Sequence, residues 1–317
     1  MPVNYKVLSI LFYHPFQIAF LFCKLMSKLK LLQTTGQDER NMSPLVSPSW
    51  LNQRLADERI VILDASIDFQ IPSETEKDTV HTIPNARRFD YDKVFCDLSA
   101  TLPHMMPNEE HFNLQAQALG INNDSIIVVY DNSGTFASPR AWWMLKAMGH
   151  QEVYVLDGGL TEWKMCGLPL AMEYSQPKIT GNFSGKLNQH YFVDADYVLQ
   201  QIDNETSQTI DARSKARFNA QVAEPRAGIR SGHIPNSACL PFAELMIEHK
   251  MKCINELEPI LKQVLKSERS EYLFSCGSGV TACIVLLAAH MCGYEHLAVY
   301  DGSWTEWGQN EALPISQ

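Results

Sequence analysis

The chain lacks the marks of several large enzyme and binding classes. It has no Walker loop, no GxGxxG turn and no HExxH helix, so the usual phosphate cradle, dinucleotide turn and zinc helix are missing. Its eight cysteines (Cys23, Cys96, Cys166, Cys239, Cys253, Cys276, Cys283 and Cys292) include no CxxC pair, which argues against a zinc site. They are also sparse for a disulfide scaffold in 317 residues, and a reducing compartment suits such a chain better. Cationic surface is scarce: the formal net charge of −10 argues against a nucleic-acid partner. Acids are missing before Asp38. Val7 to Met26 is largely apolar, but His14, Pro15 and Gln17 interrupt it, which makes a poor membrane span. No small-residue cleavage site follows cleanly, and Arg and Ser are too few for a typical mitochondrial presequence. Residues 1–42 read as an extension outside the fold, with Met42 a candidate natural start. A cytoplasmic location is the expectation, or a mitochondrial one if the extension is a presequence.

What remains is an ordinary globular composition, 45% hydrophobic and 20% charged, in a length that suggests about two domains. The chain repeats itself in order. Ile60–Ala65 is echoed at Thr209–Arg213, Ile83-Pro84-Asn85 at Ile234-Pro235-Asn236, and Ile127–Gly134 at Leu273–Gly279. Val155–Trp163 is echoed at Val299–Trp307. Four matches in one order and near one offset predict two copies of one fold. Each alternates short apolar strands (IVILDAS, SIIVVYD, EVYVLDGG in the first) with helical segments (EEHFNLQAQALG, PRAWWMLKAMGH). That pattern predicts an α/β fold with a parallel sheet flanked by helices, its active edge at the carboxyl ends of the strands. The expected division is 44–170, a linker over 171–190, and 191–317. Tryptophans Trp163, Trp304 and Trp307 recur at matching positions and read as packing, as do Trp142 and Trp143 beside Arg140.

The stretch Glu271–Ala289 organises the second copy. Tyr272-Leu273-Phe274 reads as a buried strand and the segment from Thr281 onward as a buried helix. Between them lie Cys276-Gly277-Ser278-Gly279-Val280-Thr281. The glycines permit a loop whose amides turn inward before a helix N-terminus, a natural anion site. A thiolate at Cys276 would be stabilised there and could act as a nucleophile. The bland alternative is a buried cysteine ahead of a helix. The first copy carries Asp131 at this position, and Asp cannot do sulfur chemistry, so that domain is expected to be silent. A cysteine phosphatase would need an Arg six residues after the cysteine, where Ala282 stands.

The loop Cys276–Ala282 resembles that of the 3-mercaptopyruvate sulfurtransferases of the two-domain rhodanese superfamily. Asp211-Ala212-Arg213, Arg217-Phe218, Glu224-Pro225-Arg226, Gly232–Pro235 and Asp301–Trp304 resemble that family too, in the same order. One departure is Asn85 and Asn236 where the family usually has Gly; Asn is the next best residue for left-handed backbone. The resemblance implies tandem rhodanese-like domains and transfer of sulfur from 3-mercaptopyruvate through a Cys276 persulfide. The acceptor would be thioredoxin, a small thiol or cyanide, pyruvate would be released, and no cofactor would be needed. It implies that Arg217 and Arg226 bind substrate, that the amides of Gly277, Gly279, Val280 and Thr281 hold the anionic sulfur, and that Ser278 with His104 and Asp92 handles the proton. Without the resemblance, the arginines could equally pair with acids such as Glu224, and His104 could be a packed loop residue. Arg213 reads as structural. Cys96 falls in the His104 stretch and would be a redox partner for Cys276 only if it reached the cleft. Two rivals stay open: thiosulfate sulfurtransferase on the same fold, whose loop wants cations where Gly277 and Ser278 are neutral, and a non-enzymatic persulfide carrier or protein-binding module.

Overall fold

The computed structural model describes residues 43–72 and 74–317; the extension 1–42 therefore lies outside the described residues. The first half contains β1 (Leu45–Val46), α1 (Pro48–Asn52), β2 (Ile60–Asp64), β3 (Arg87–Arg88), α2 (Glu109–Ala118), β4 (Ile126–Tyr130), α3 (Ser138–Ala147), β5 (Val153–Leu156) and α4 (Gly159–Met165). The second contains β6 (Phe192–Val193), α5 (Ala195–Gln201), β7 (Ser207–Asp211), α6 (Lys215–Phe218), β8 (Ala238–Cys239) and the small hairpin β9 (Met246–Ile247) and β10 (Lys250–Met251). It closes with α7 (Ile254–Val264), β11 (Glu271–Ser275), α8 (Ala282–Met291), β12 (Leu297–Tyr300) and α9 (Ser303–Gln309).

Each half forms a five-stranded sheet, ordered β1-β5-β4-β2-β3 and β6-β12-β11-β7-β8, and every pairing in both sheets is parallel. The orders correspond strand for strand, which is the structural form of the sequence repeat. All of β4 is buried, and β11 is buried apart from Glu271. Continuous apolar runs are what a central parallel strand covered on both faces requires. At the repeated Asn positions the backbone is left-handed, φ 67° at Asn85 and 60° at Asn236.

Helix α8 explains how the halves meet. Its residues Ala282 to Ala289 are all buried, and a helix apolar around its whole circumference has no solvent face. One side packs on its own sheet, the other on α3 of the first half. Trp142 and Trp143 of α3 share one continuous apolar core with α8. Each large side chain so buried contributes about 1.5–3 kcal/mol, so the two halves form one compact body. Trp163 and Trp307 close the two halves alike, each donating its indole N–H at 2.7 Å to the carbonyl of a nearby proline, Pro169 and Pro314.

The stretch 171–190 is no free tether. Ala171 bridges to Thr82, and Gly181, Phe183 and Lys186 donate to carbonyls of Gln117, Ile121 and Met148. It runs along the first half and uses its backbone groups there before the chain enters β6. Among the described residues no helix is long and apolar enough to cross a membrane.

Candidate active site

Strand β11 ends at Ser275, and Cys276 begins the loop at its carboxyl end, six residues before α8. Four bonds turn this loop. The Cys276 amide donates to Ser303 Oγ at 3.1 Å. The Cys276 carbonyl accepts from the Trp304 amide at 3.0 Å, and the Gly277 carbonyl accepts from the Thr305 amide at 2.9 Å and from Thr305 Oγ1 at 2.6 Å. With these carbonyls pulled toward α9, the amides of Gly277, Ser278, Gly279, Val280 and Thr281 donate to no acceptor among the described residues. Gly279 sits at φ 74°, and a Cβ there would meet the Arg140 guanidinium at 2.6 Å. Conformation and space both demand glycine at that point.

The first half supplies an internal control. There the loop after β4 is closed on its own anion. One Asp131 carboxylate oxygen accepts from the amides of Phe136, Ala137 and Ser138 at 3.0, 2.9 and 2.9 Å and from Ser138 Oγ at 2.8 Å. The other accepts from Gly134 N at 2.9 Å. Of the amides left free around Cys276, those of Ser278, Gly279 and Thr281 have counterparts, Ser133, Gly134 and Phe136, that point at the Asp131 carboxylate when that charge is built in. A loop of this shape stabilises an anion at the residue that follows the strand.

Cys276 is 2% exposed but lines a cleft of about 330 Å3. The cleft wall comprises Gly277, Ser278, Val280 and Thr281, then Arg217, Arg226 and Thr305, and from the first half Phe69 to Pro72. Arg217 is held over the loop, its Nη2 3.5 Å from where a Cβ on Gly277 would stand. Glu224 holds it there, accepting from Arg217 Nε at 3.2 Å and from its Nη2. Arg217 therefore does pair with Glu224, as the bland reading of the sequence allowed, but Glu224 is itself buried and the pair faces the cleft. Glu224 also accepts from Arg213 Nη1 at 2.8 Å. Arg213 is otherwise spent on Asp211, on the Gly232 carbonyl and on the face of Trp304, 4.2 Å from the ring centre. Arg226 donates to Thr305 Oγ1 at 2.6 Å, and Thr305 passes the link to the Gly277 carbonyl. Two cationic forks thus stand beside the cysteine loop, a geometry suited to a small carboxylate.

Ser278 is in the cleft wall; His104 and Asp92 do not line it, and among the described residues no hydrogen bond joins either side chain to Ser278. The His104 ring lies 5.4 Å from that of Phe69, which faces the cleft. His104 Nδ1 stands 2.8 Å from Asp92 Oδ1, off the direction of a good hydrogen bond, and Nε2 has no partner. Burial, with Arg140 and Arg226 nearby, lowers the His104 imidazole to about 3. Burial and the neighbouring Asp90 raise the Asp92 carboxyl above its ordinary range. A buried neutral His favours the folded state above its unfolded value, and that contribution is lost as pH falls from about 6.5 toward 3. Replacing His104 with Gln is therefore expected to lessen the drop in unfolding midpoint between pH 7 and pH 4, and an unchanged drop would contradict the burial argument. Cys96 bonds through Sγ to the Asp92 carbonyl at 3.4 Å and does not line the cleft; burial raises its thiol, which keeps it protonated. Among the described residues no group of three or more His, Cys, Asp or Glu is placed to hold a metal.

Sequence reasoning missed Glu224 as an organiser, and gave Ser303 and Thr305 no role although both lie in the repeated stretch Val299–Trp307. Ser303 is a non-glycine residue at φ 51° with no exposure, a conformation that persists only where the surroundings enforce it. Its signal was present: Ser303 stands where the first copy has Gly159, itself at φ 53°.

The description "Rhodanese-like domain" matches this chain twice, over residues 47–166 and 194–310. A mitochondrial thiosulfate/3-mercaptopyruvate sulfurtransferase of Arabidopsis thaliana is 38% identical over 297 residues, covering 86% of this chain and 78% of that protein. The 3-mercaptopyruvate sulfurtransferase of Escherichia coli K12 is 38% identical over 275 residues, covering 85% and 96%. The crystal structure of SseA, a 3-mercaptopyruvate sulfotransferase of Escherichia coli with the "Rhodanese" fold, superposes with a TM-score of 0.73 at 35% identity, covering 83% of this chain and 99% of that one.

Proposed function

Because this chain belongs to the rhodanese-like family, with the domain present twice, we propose that it is a sulfurtransferase taking sulfur from 3-mercaptopyruvate onto Cys276. The observation that carries the reading is the set of unpartnered amides from Gly277 to Thr281 around Cys276, beside two arginines.

The chemistry runs in two covalent steps. The Cys276 thiolate attacks the sulfur of the donor; the S–S bond forms, the C–S bond breaks, and its electron pair leaves on carbon as the enolate of pyruvate. A proton then converts the enolate to pyruvate. Ser278 stands closest in the chain to deliver it, backed by the neutral His104 and by Asp92. Arg217 and Arg226 grip the carboxylate and ketone and help carry the enolate charge. The loop amides hold the negative sulfur before and after transfer. In the second step an acceptor thiolate attacks the outer sulfur, the S–S bond breaks, and Cys276 returns as thiolate. Thioredoxin-like proteins, small thiols and cyanide all fit as acceptors, since only the outer sulfur must be reached. A reducing compartment, the cytoplasm or the mitochondrion, keeps the nucleophile available.

Thiosulfate is the second donor to consider, because the Arabidopsis relative is named for both. A compact dianion wants cations on the loop itself, and here the two residues after Cys276 are the neutral Gly277 and Ser278. Steady-state kinetics with both donors is the test: kcat/KM is expected to be at least about tenfold higher for 3-mercaptopyruvate. A higher value for thiosulfate would overturn the donor assignment.

A further inference from the structure

Arg140 is fully buried in α3 of the first half, yet its guanidinium serves the second. Nη1 donates to the Gly279 carbonyl at 3.2 Å, and Nη2 donates to Asp301 Oδ1 at 2.7 Å and to the His104 carbonyl. Asp301 in turn accepts from the Met106 amide at 2.7 Å. One side chain thereby ties together the cysteine loop, the entry to α9 and the His104 segment, which is held left-handed at φ 63°.

The repeat shows what this arginine changes. One repeat later Arg140 corresponds to Val285, so no arginine reaches the first loop from the matching place. There Thr135, the counterpart of Val280, donates its amide at 3.0 Å to the carbonyl of His249, the counterpart of His104. In the second loop Arg140 takes the His104 carbonyl instead. The Val280 amide is left without an acceptor among the described residues, in the wall of the cleft. The carbonyl on the other side of that peptide, Gly279 O, is fixed by the same guanidinium.

We infer that Arg140 is a positioning residue for sulfur transfer: it diverts the His104 carbonyl, pins the Gly279–Val280 peptide and so holds the cysteine loop in its anion-accepting form. The first domain then does more than line the cleft, since it supplies the group that keeps the second domain's loop open. The inference rests on the sulfurtransferase reading, and the two fail separately. That reading fails if the wild type forms no persulfide; this one is judged by the ratio of variant to wild type.

The test is single-turnover persulfide formation with 3-mercaptopyruvate, read beside KM and thermal midpoint, in Arg140→Lys and in Arg140→Met combined with Asp301→Asn. The lysine keeps the charge, but its single nitrogen cannot stand where both Nη1 and Nη2 do, so it cannot hold the Gly279 carbonyl together with Asp301 and the His104 carbonyl. The double variant removes the buried charge pair without leaving either partner alone. In either folded variant the transfer rate is expected to fall by about 100-fold, the scale of losing one preorganised donor, while KM, set by Arg217 and Arg226, stays within about twofold. A merely structural role would lower the midpoint and leave the transfer rate of the folded enzyme near the wild-type value, and that result in either variant overturns the inference. Should the double variant not fold, the lysine variant decides alone.

Discussion

Replacing Cys276 with Ser is expected to lower sulfur transfer on the order of 10⁴-fold or more, as loss of a covalent nucleophile does. The hydroxyl has nearly the shape of the thiol, and the loop is braced by bonds that do not involve the sulfur: Ser303 Oγ on the Cys276 amide, and the amides of Trp304 and Thr305 on the two carbonyls that follow. The loop should keep its form, so the thermal midpoint and the binding of 3-mercaptopyruvate should change little. Arg217 and Arg226 remain in place to bind the carboxylate, but an alkoxide cannot accept sulfur as a persulfide. Comparable turnover in the variant, measured as pyruvate release, would place the chemistry elsewhere.

Asp131 carries the second large effect, and it falls on stability. Changing Asp131 to Ala removes the carboxylate on which the amides of Gly134, Phe136, Ala137 and Ser138 converge. All these groups are buried, and each donor left without a partner costs about 1–3 kcal/mol. The variant should lose roughly 4 kcal/mol or more, a fall in thermal midpoint of roughly 10 °C for a body of this size. Asp131→Asn, which keeps one acceptor oxygen, should lie between the two. An Asp131→Ala protein melting with the wild type would mean that the first loop does not depend on its built-in anion, and the comparison between the two loops would lose its force.

Local pattern made much of this molecule legible beforehand. The repeat, the all-apolar helix from Ala282 and the glycine-bearing loop between strand and helix depend on neighbours in sequence, where periodicity and backbone preference act directly. Asp131 was legible only as a loss of sulfur chemistry; that its carboxylate fills the cradle depends on the three-dimensional course of the loop. Glu224 was read as a possible surface partner of arginine. Its burial between Arg213 and Arg217, which turns an ordinary ion pair into a mount for a cleft residue, follows from tertiary packing. Arg140 was hidden for the same reason: its acceptors Gly279 and Asp301 belong to the other half of the chain, and nothing local to α3 points to them. The stretch 171–190, rich in turn residues, gave no sign of the backbone partners it finds along the first half.

The central claim is that Cys276 itself receives the sulfur. Mass spectrometry of the protein after brief exposure to 3-mercaptopyruvate, with the peptide containing Cys276 resolved from those of the other cysteines, tests it most directly. The account predicts a gain of one sulfur atom on that peptide alone, removed by an acceptor thiol with regeneration of the free cysteine. Persulfide on another cysteine, or pyruvate released with Cys276 unmodified at every time point and still free when acceptor is withheld, would contradict it.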